Sequence, residues 1–187
     1  KFTIADATAH RLTIDTSGNV GIGTTTPNHM LTLSGDQTAK IGLYSTNAQG
    51  GTRNWAISGD NVISGDFALI ESNAKGGNPI SAGTTRFYIA GPGATEGNVG
   101  IGTTSPGVPL HLLNTNSAKI RMDVTNANAN ARNWDIRTNS TAFGDFQLMQ
   151  SATNGGNPAD GTVRFTIDPS GNVGIGTTSP QSKLQVN

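Results

Sequence analysis

Gly18-Asn19-Val20-Gly21-Ile22-Gly23-Thr24-Thr25 recurs unchanged as Gly97–Thr104 and as Gly171–Thr178, at spacings of 79 and 74 residues. Eight identical residues three times over is a repeat, and it decides the fold. At the strand period of two, Val20 and Ile22 share one face, as do Val99 and Ile101 and Val173 and Ile175. The other face holds only Gly21 and Gly23, Gly100 and Gly102, or Gly174 and Gly176. Glycine inside a strand costs conformational entropy and marks a place where another backbone comes close. Each copy continues to a proline, Pro27, Pro106 or Pro180, then to Leu31/Leu33, Leu110/Leu112 or Leu184/Val186. A segment this short is no domain. Three chains wrapped about an axis would bury the Val, Ile and Leu residues centrally and close the sheet edges.

Working outward, the stretch between connectors repeats too. Ala39-Lys40-Ile41 answers Ala118-Lys119-Ile120, and Arg53-Asn54-Trp55 answers Arg132-Asn133-Trp134. Gly65-Asp66-Phe67 answers Gly144-Asp145-Phe146, Gly76–Pro79 answers Gly155–Pro158, and Arg86-Phe87 answers Arg164-Phe165. Apolar residues alternate with polar ones, which predicts four half-buried strands per module and no helix. Their inward pairs are Ile41/Leu43, Trp55/Ile57, Phe67/Leu69 and Phe87/Ile89, with Ile120/Met122, Trp134/Ile136, Phe146/Leu148 and Phe165/Ile167 in the second module. Ahead of two connectors, Ile14–Asn19 and Ile167–Asn172 suit tight hairpins, with Asp capping the turn and Gly18 or Gly171 taking a left-handed conformation. The middle copy has the longer loop Ala90–Glu96, ahead of Gly97. The expected organisation is connector 1–38, module 39–89, connector 90–117, module 118–168 and connector 169–187.

Composition narrows the function. Lys+Arg and Asp+Glu balance at 12 each, which removes the electrostatic basis for binding nucleic acid or an anionic membrane. Gly, Thr, Asn and Ser make up close to half of the chain, while 34% is hydrophobic, too little for one large private core. Cysteine is absent, so disulfides, thiolate metal sites and Cys nucleophiles are excluded. No stretch approaches the length of an apolar membrane span, so no membrane insertion is expected. A module of about 50 residues is marginal alone, and without disulfide or metal the remaining route to stability is oligomerisation. The chain opens on Lys1-Phe2-Thr3-Ile4, without Met and in the middle of the pattern, as a fragment or processed product would.

Gly171-Asn172-Val173-Gly174-Ile175-Gly176-Thr177-Thr178-Ser179-Pro180, with Lys183-Leu184-Gln185-Val186 after it, resembles the connector of tailed-bacteriophage tail fibres and tailspikes. The resemblance covers the three connectors, roughly a third of the chain. It implies an all-β, elongated homotrimeric fibre, with small antiparallel β modules joined by short intertwined β connectors. Its role would be that of a virion spacer in host adhesion, outside the cell and alongside other tail or fibre proteins. A C-terminal intramolecular chaperone beyond Asn187 and an attachment segment before Lys1 belong to the same pattern. Two further readings share the residues: a module binding host surface polysaccharide through its loops, and the stalk of a bacterial trimeric adhesin.

Other chemistry is weak. The Gly-x-x-Gly-x-Gly order has no following Lys and no helix to open, so nucleotide binding is not expected. Of Asp60, Asp66 and Glu71, possible glycosidase carboxylates, only Asp66 keeps an acid in the second module, as Asp145; the others become Asn139 and Gln150. Asp66 and Asp145 read as turn residues, facing Arg53 or Arg132. No catalysis, cofactor or metal is expected; of His10, His29 and His111, only His111 would merit a check on a trimer axis. Trp55 and Trp134 read as core, in phase with Ile57 and Ile136. Tyr44 and Tyr88, on the opposite phase from Leu43 and Phe87, read as exposed and as glycan contacts confined to the first module, since Asp123 and Thr166 replace them.

Overall fold

The computed structural model describes residues 1–5, 10–35, 40–45, 51–93, 95–125 and 128–187, with His10 described in its backbone only. Parts of Ser45–Thr52 and Thr125–Ala131, loops that differ between the two modules and that the polysaccharide reading would use, lie outside the described residues, as do residue 94 of the Ala90–Glu96 loop and residue 39 at the module boundary.

Among the described residues sixteen strands, numbered in chain order, form three sheets. The first holds β1 (Phe2–Ala5), β2 (His10–Ile14), β3 (Val20–Ile22) and β4 (Leu31–Leu33). The second holds β5 (Lys40–Leu43), β6 (Trp55–Gly59), β7 (Phe67–Ser72), β8 (Gly83–Ile89), β9 (Val99–Ile101) and β10 (Leu110–Leu112). The third holds β11 (Lys119–Met122), β12 (Trp134–Thr138), β13 (Phe146–Gln150), β14 (Thr162–Ile167), β15 (Val173–Ile175) and β16 (Leu184–Val186). In each sheet the strands lie in chain order, as a meander. All four expected strands of each module are present, and the chain is all-β: among the described residues the sole helical element is a 3-10 turn at Pro158–Asp160. The chain divides into two units, Lys1–His111 and Leu112–Asn187.

The connector strands do not stand apart from the modules: β9 and β10 extend the sheet of β5–β8, as β15 and β16 extend that of β11–β14. Register shows what residue identity hides. Phe2 pairs with Ile14 as Phe67 pairs with Ile89 and Phe146 with Ile167. Ile4 pairs with Leu12 as Leu69 does with Phe87 and Leu148 with Phe165. The first sheet is therefore the last four strands of the same six-stranded unit. A bulge recurs at one place in all three, after Ile4, Leu69 and Leu148, and leaves Arg11, Arg86 and Arg164 as the extra residue.

Each sheet has a polar or small face and an apolar face, and the chain covers the polar one. Buried in the second sheet are Ala56, Ser58, Ala68, Ile70, Ser72 and Tyr88; in the third, Asp135, Arg137, Gln147, Met149, Ser151 and Thr166. The module's own loops close over this face. Asn54 takes the Ser45 amide on Oδ1, at 3.0 Å, and donates from Nδ2 to the Gly77 carbonyl. Asn133 does the same with Val124 and Gly156. That double use explains why Asn recurs before each Trp.

Candidate assembly surface and connector

The connector is a crossover, and its repeated residues are accounted for within one chain. β4 runs parallel to β3, with Val20 beside Leu31 and Ile22 beside Leu33; β16 is parallel to β15 in the same register. To return, the chain passes over the glycine face. A Cβ on Gly21 would lie 2.7 Å from the Thr24 carbonyl oxygen, and one on Gly174 would lie 2.5 Å from that of Thr177; Gly100 meets Thr103 likewise. Pro27, Pro106 and Pro180 are buried in the same crossing. Gly23, expected in the strand, instead ends it at φ +75°, where a Cβ would strike the Ser34 carbonyl. Its amide donates to the carbonyl of bulge residue Arg11, at 3.2 Å; Gly102 and Gly176 do so to Arg86 and Arg164. Within one chain, the close backbone that the glycines admit is that of the chain's own crossover.

The hairpins ahead of the connector are built as the residues predict. Asp15 accepts the amides of Ser17 and Asn19 at 2.8 Å, and Asp168 repeats this with Ser170 and Asn172. These N–H donors, led by Asn19 and Asn172, hold both carboxyls below the usual range. Gly18 and Gly171 are left-handed at φ +85° and +76°.

What the chain leaves uncovered is the apolar face. Trp55, expected in the core, is 38% exposed, and Trp134 is half-buried. Phe67 and Phe87 meet edge to face with centroids 6.4 Å apart, as do Phe146 and Phe165, yet none of the four is buried. Ile22, Leu31, Ile101, Leu110, Ile175, Leu184 and Val186 are exposed; Val20, Leu33, Val99, Leu112 and Val173 are half-buried. Period-two alternation identifies two faces without saying which one a chain's own loops cover. Here the loops cover the polar side, so the phase expected to be inward is the outward one.

That inversion moves the tyrosines. Tyr44 is exposed at 58%, as expected. Tyr88, expected to be a glycan contact, is 1% exposed and hydrogen-bonds Asp66. Burial, then the Asp66 charge, pushes its phenol above the ordinary value. Asp66 and Asp145 anchor turns, as expected, but not against arginine. Asp66 accepts the amides of Asn61, Val62 and Ile63 at 2.5–3.0 Å, and Asp145 those of Ser140, Thr141 and Ala142 at 2.7–3.0 Å. Burial alone would raise the Asp66 carboxyl; the three amides and Tyr88 outweigh it and hold it low. Arg53 and Arg132 reach backbone carbonyls instead, at Thr52 and at Ala129 and Ala131.

The remaining candidates are dispersed. Glu71 pairs with Arg86 at 2.6 Å, and Asp60 sits at φ +51° in a turn. His111 lies between the leucines of β10, and its Nδ1 accepts the Gly107 amide at 3.3 Å. No group of three or more metal-ligating side chains occurs among the described residues. Reasoning from sequence passed over Arg121, Asp135 and Arg137: Asp135 Oδ1 accepts from Arg121 Nε at 2.8 Å, and Asp135 Oδ2 pairs with Arg137. The change from Ala56 and Ser58 to Asp135 and Arg137 was the available signal. No protein-family model matches the chain, and no curated protein does.

Proposed function

We propose that the chain is a segment of a homotrimeric phage tail fibre, a non-catalytic spacer that holds three copies in register during host adhesion, outside the cell and beside other tail or fibre proteins. The observation that carries this reading is the uncovered apolar face. Three sheets each carry a row of Val, Ile, Leu and Phe, joined by Trp55 in the second and Trp134 in the third, with no covering layer from the same chain among the described residues. Contiguous apolar surface of this kind marks an interface. The covered face of the second module is rich in Asp, Arg, Gln and Ser, and that of the first holds only a small apolar cluster, Ala68, Ile70, Tyr88 and Ala90. Packing the apolar faces of three copies together supplies the core that 34% hydrophobic content denies to one copy.

Light scattering on a gel-filtration column tests this: a mass near three times 19.2 kDa is expected. Leu69→Lys and Leu148→Lys, on the apolar face of each module, should yield monomer. A stable, folded monomer of the unsubstituted chain overturns the reading.

Polysaccharide recognition survives as a second reading on a narrower basis. Tyr44 remains exposed, and Asn139, Ser140, Thr141, Ala142 and Phe143 line a cleft of about 150 Å³ on a turn pinned by Asp145. A host glycan array tests it: binding that Phe143→Ala abolishes supports it, and silence removes it.

A further inference from the structure

The second module contains three buried polar atoms that the protein does not satisfy: Arg137 Nε, Gln147 Oε1 and Thr166 Oγ1. They belong to directly opposed residues on three adjacent strands, Arg137 against Gln147 and Gln147 against Thr166. All three side chains are nine-tenths or more buried, and all point to the face closed by the module's loops. We propose that these atoms hold a resident internal water molecule.

The donor set selects that ligand. Gln147 Nε2 is committed to Thr141 Oγ1 at 2.7 Å and Asp145 Oδ2 at 3.0 Å, so the atom left inward is the carbonyl oxygen. Arg137 Nη1 donates to Ser140 Oγ at 3.3 Å and Nη2 to Asp135, which leaves Nε–H inward. One fixed donor, one fixed acceptor and one hydroxyl that can be either suit a water, which needs two to four polar partners. The guanidinium repels a cation. The amide oxygen repels an anion.

The first module is the internal contrast. Ser58, Ala68 and Tyr88 occupy the same three places. Ser58 Oγ donates to the Gly59 carbonyl at 3.0 Å, Ala68 has no polar group, and the Tyr88 hydroxyl is taken by Asp66. None of these side chains leaves a buried atom unmatched.

Water-to-protein cross-relaxation measured by NMR on the full chain tests the assignment. Long-lived cross-peaks are expected from bound water to the Thr166 methyl and the Gln147 side chain, with none at Ala68 or Tyr88. Thr166→Val should abolish or shorten them, while Thr166→Ser should keep the signal at Gln147. A folded parent chain with no such cross-peaks overturns the proposal, as does a crystal structure in which Arg137 Nε donates directly to Gln147 Oε1.

Discussion

The two modules share a backbone and differ in what lies beneath their loops. In the first the buried face is mostly small or apolar, with Ala56, Ser58, Ala68, Ile70 and Tyr88. In the second the same face carries Asp135, Arg137, Gln147 and Thr166. The difference is organised. Ala68 and Tyr88 are cross-strand partners, as are Gln147 and Thr166, so a small–large pair has become a large–small pair. In each case the large member's polar end reaches the carboxylate that pins the turn, Tyr88 to Asp66 and Gln147 to Asp145. A fixed requirement, one interior donor for one turn aspartate, is met from either strand. The apolar faces, by contrast, keep Trp, Ile, Phe and Leu at matching positions.

The largest effect should come from the charged interior. Asp135→Ala leaves Arg137 buried without its partner and should cost about 3–5 kcal/mol in urea unfolding. Replacing Tyr88 by Thr opens a cavity and strips a donor from Asp66, for about 3 kcal/mol. Adding Ala68→Gln to that variant should recover about 1 kcal/mol; strict additivity would break the exchange described above. Gly100→Val and Gly174→Val, at a site common to both units, should each cost about 2–3 kcal/mol and lower the unfolding midpoint alike, because the Thr103 or Thr177 carbonyl must move.

Smaller and pH-dependent effects separate the modules further. The Arg121 hydrogen bond first, then Arg137, holds the Asp135 carboxyl below its usual value, and amides and Tyr88 hold Asp66 low. Their stabilisation is present above the unfolded aspartate value of about 3.9 and is lost as pH falls through the lower folded values. The thermal midpoint should therefore hold at neutral pH and fall below about pH 4. At alkaline pH the raised Tyr88 phenol contributes in the opposite sense: its stabilisation is complete below about pH 10 and is lost as pH rises through the folded value. Ultraviolet titration should show one delayed tyrosine, absent in Tyr88→Phe.

Much of the fold was legible in the residues. Alternation located every module strand, and Asp15, Asp168, Gly18 and Gly171 specified their hairpins because those turns are local. Facing was not legible. Ile57 and Ser58 alternate whichever side the loops cover, and only the tertiary bonds of Asn54 to Ser45 and Gly77 choose the polar side. Tyr88 and Trp55 were misplaced for that one reason. The partial third unit at Phe2–Ile14 left a trace, Arg11 spaced from Ile14 as Arg86 is from Ile89 and Arg164 from Ile167. Its meaning depends on a bulge at that arginine, which alternation of apolar and polar residues does not reveal.

The parallel last strand has a consequence for how such a unit can be strung in tandem. Through β11 to β15 the chain reverses at every step, and five strands carry it from one end of the sheet to the other. A sixth antiparallel strand would bring it back to the end at which it entered. Because β16 instead repeats the direction of β15, the exit lies opposite the entrance. Each copy of the crossover thus converts a closed zigzag into a link with a head and a tail, and the glycines that let the chain cross its own strand give the repeat a polarity.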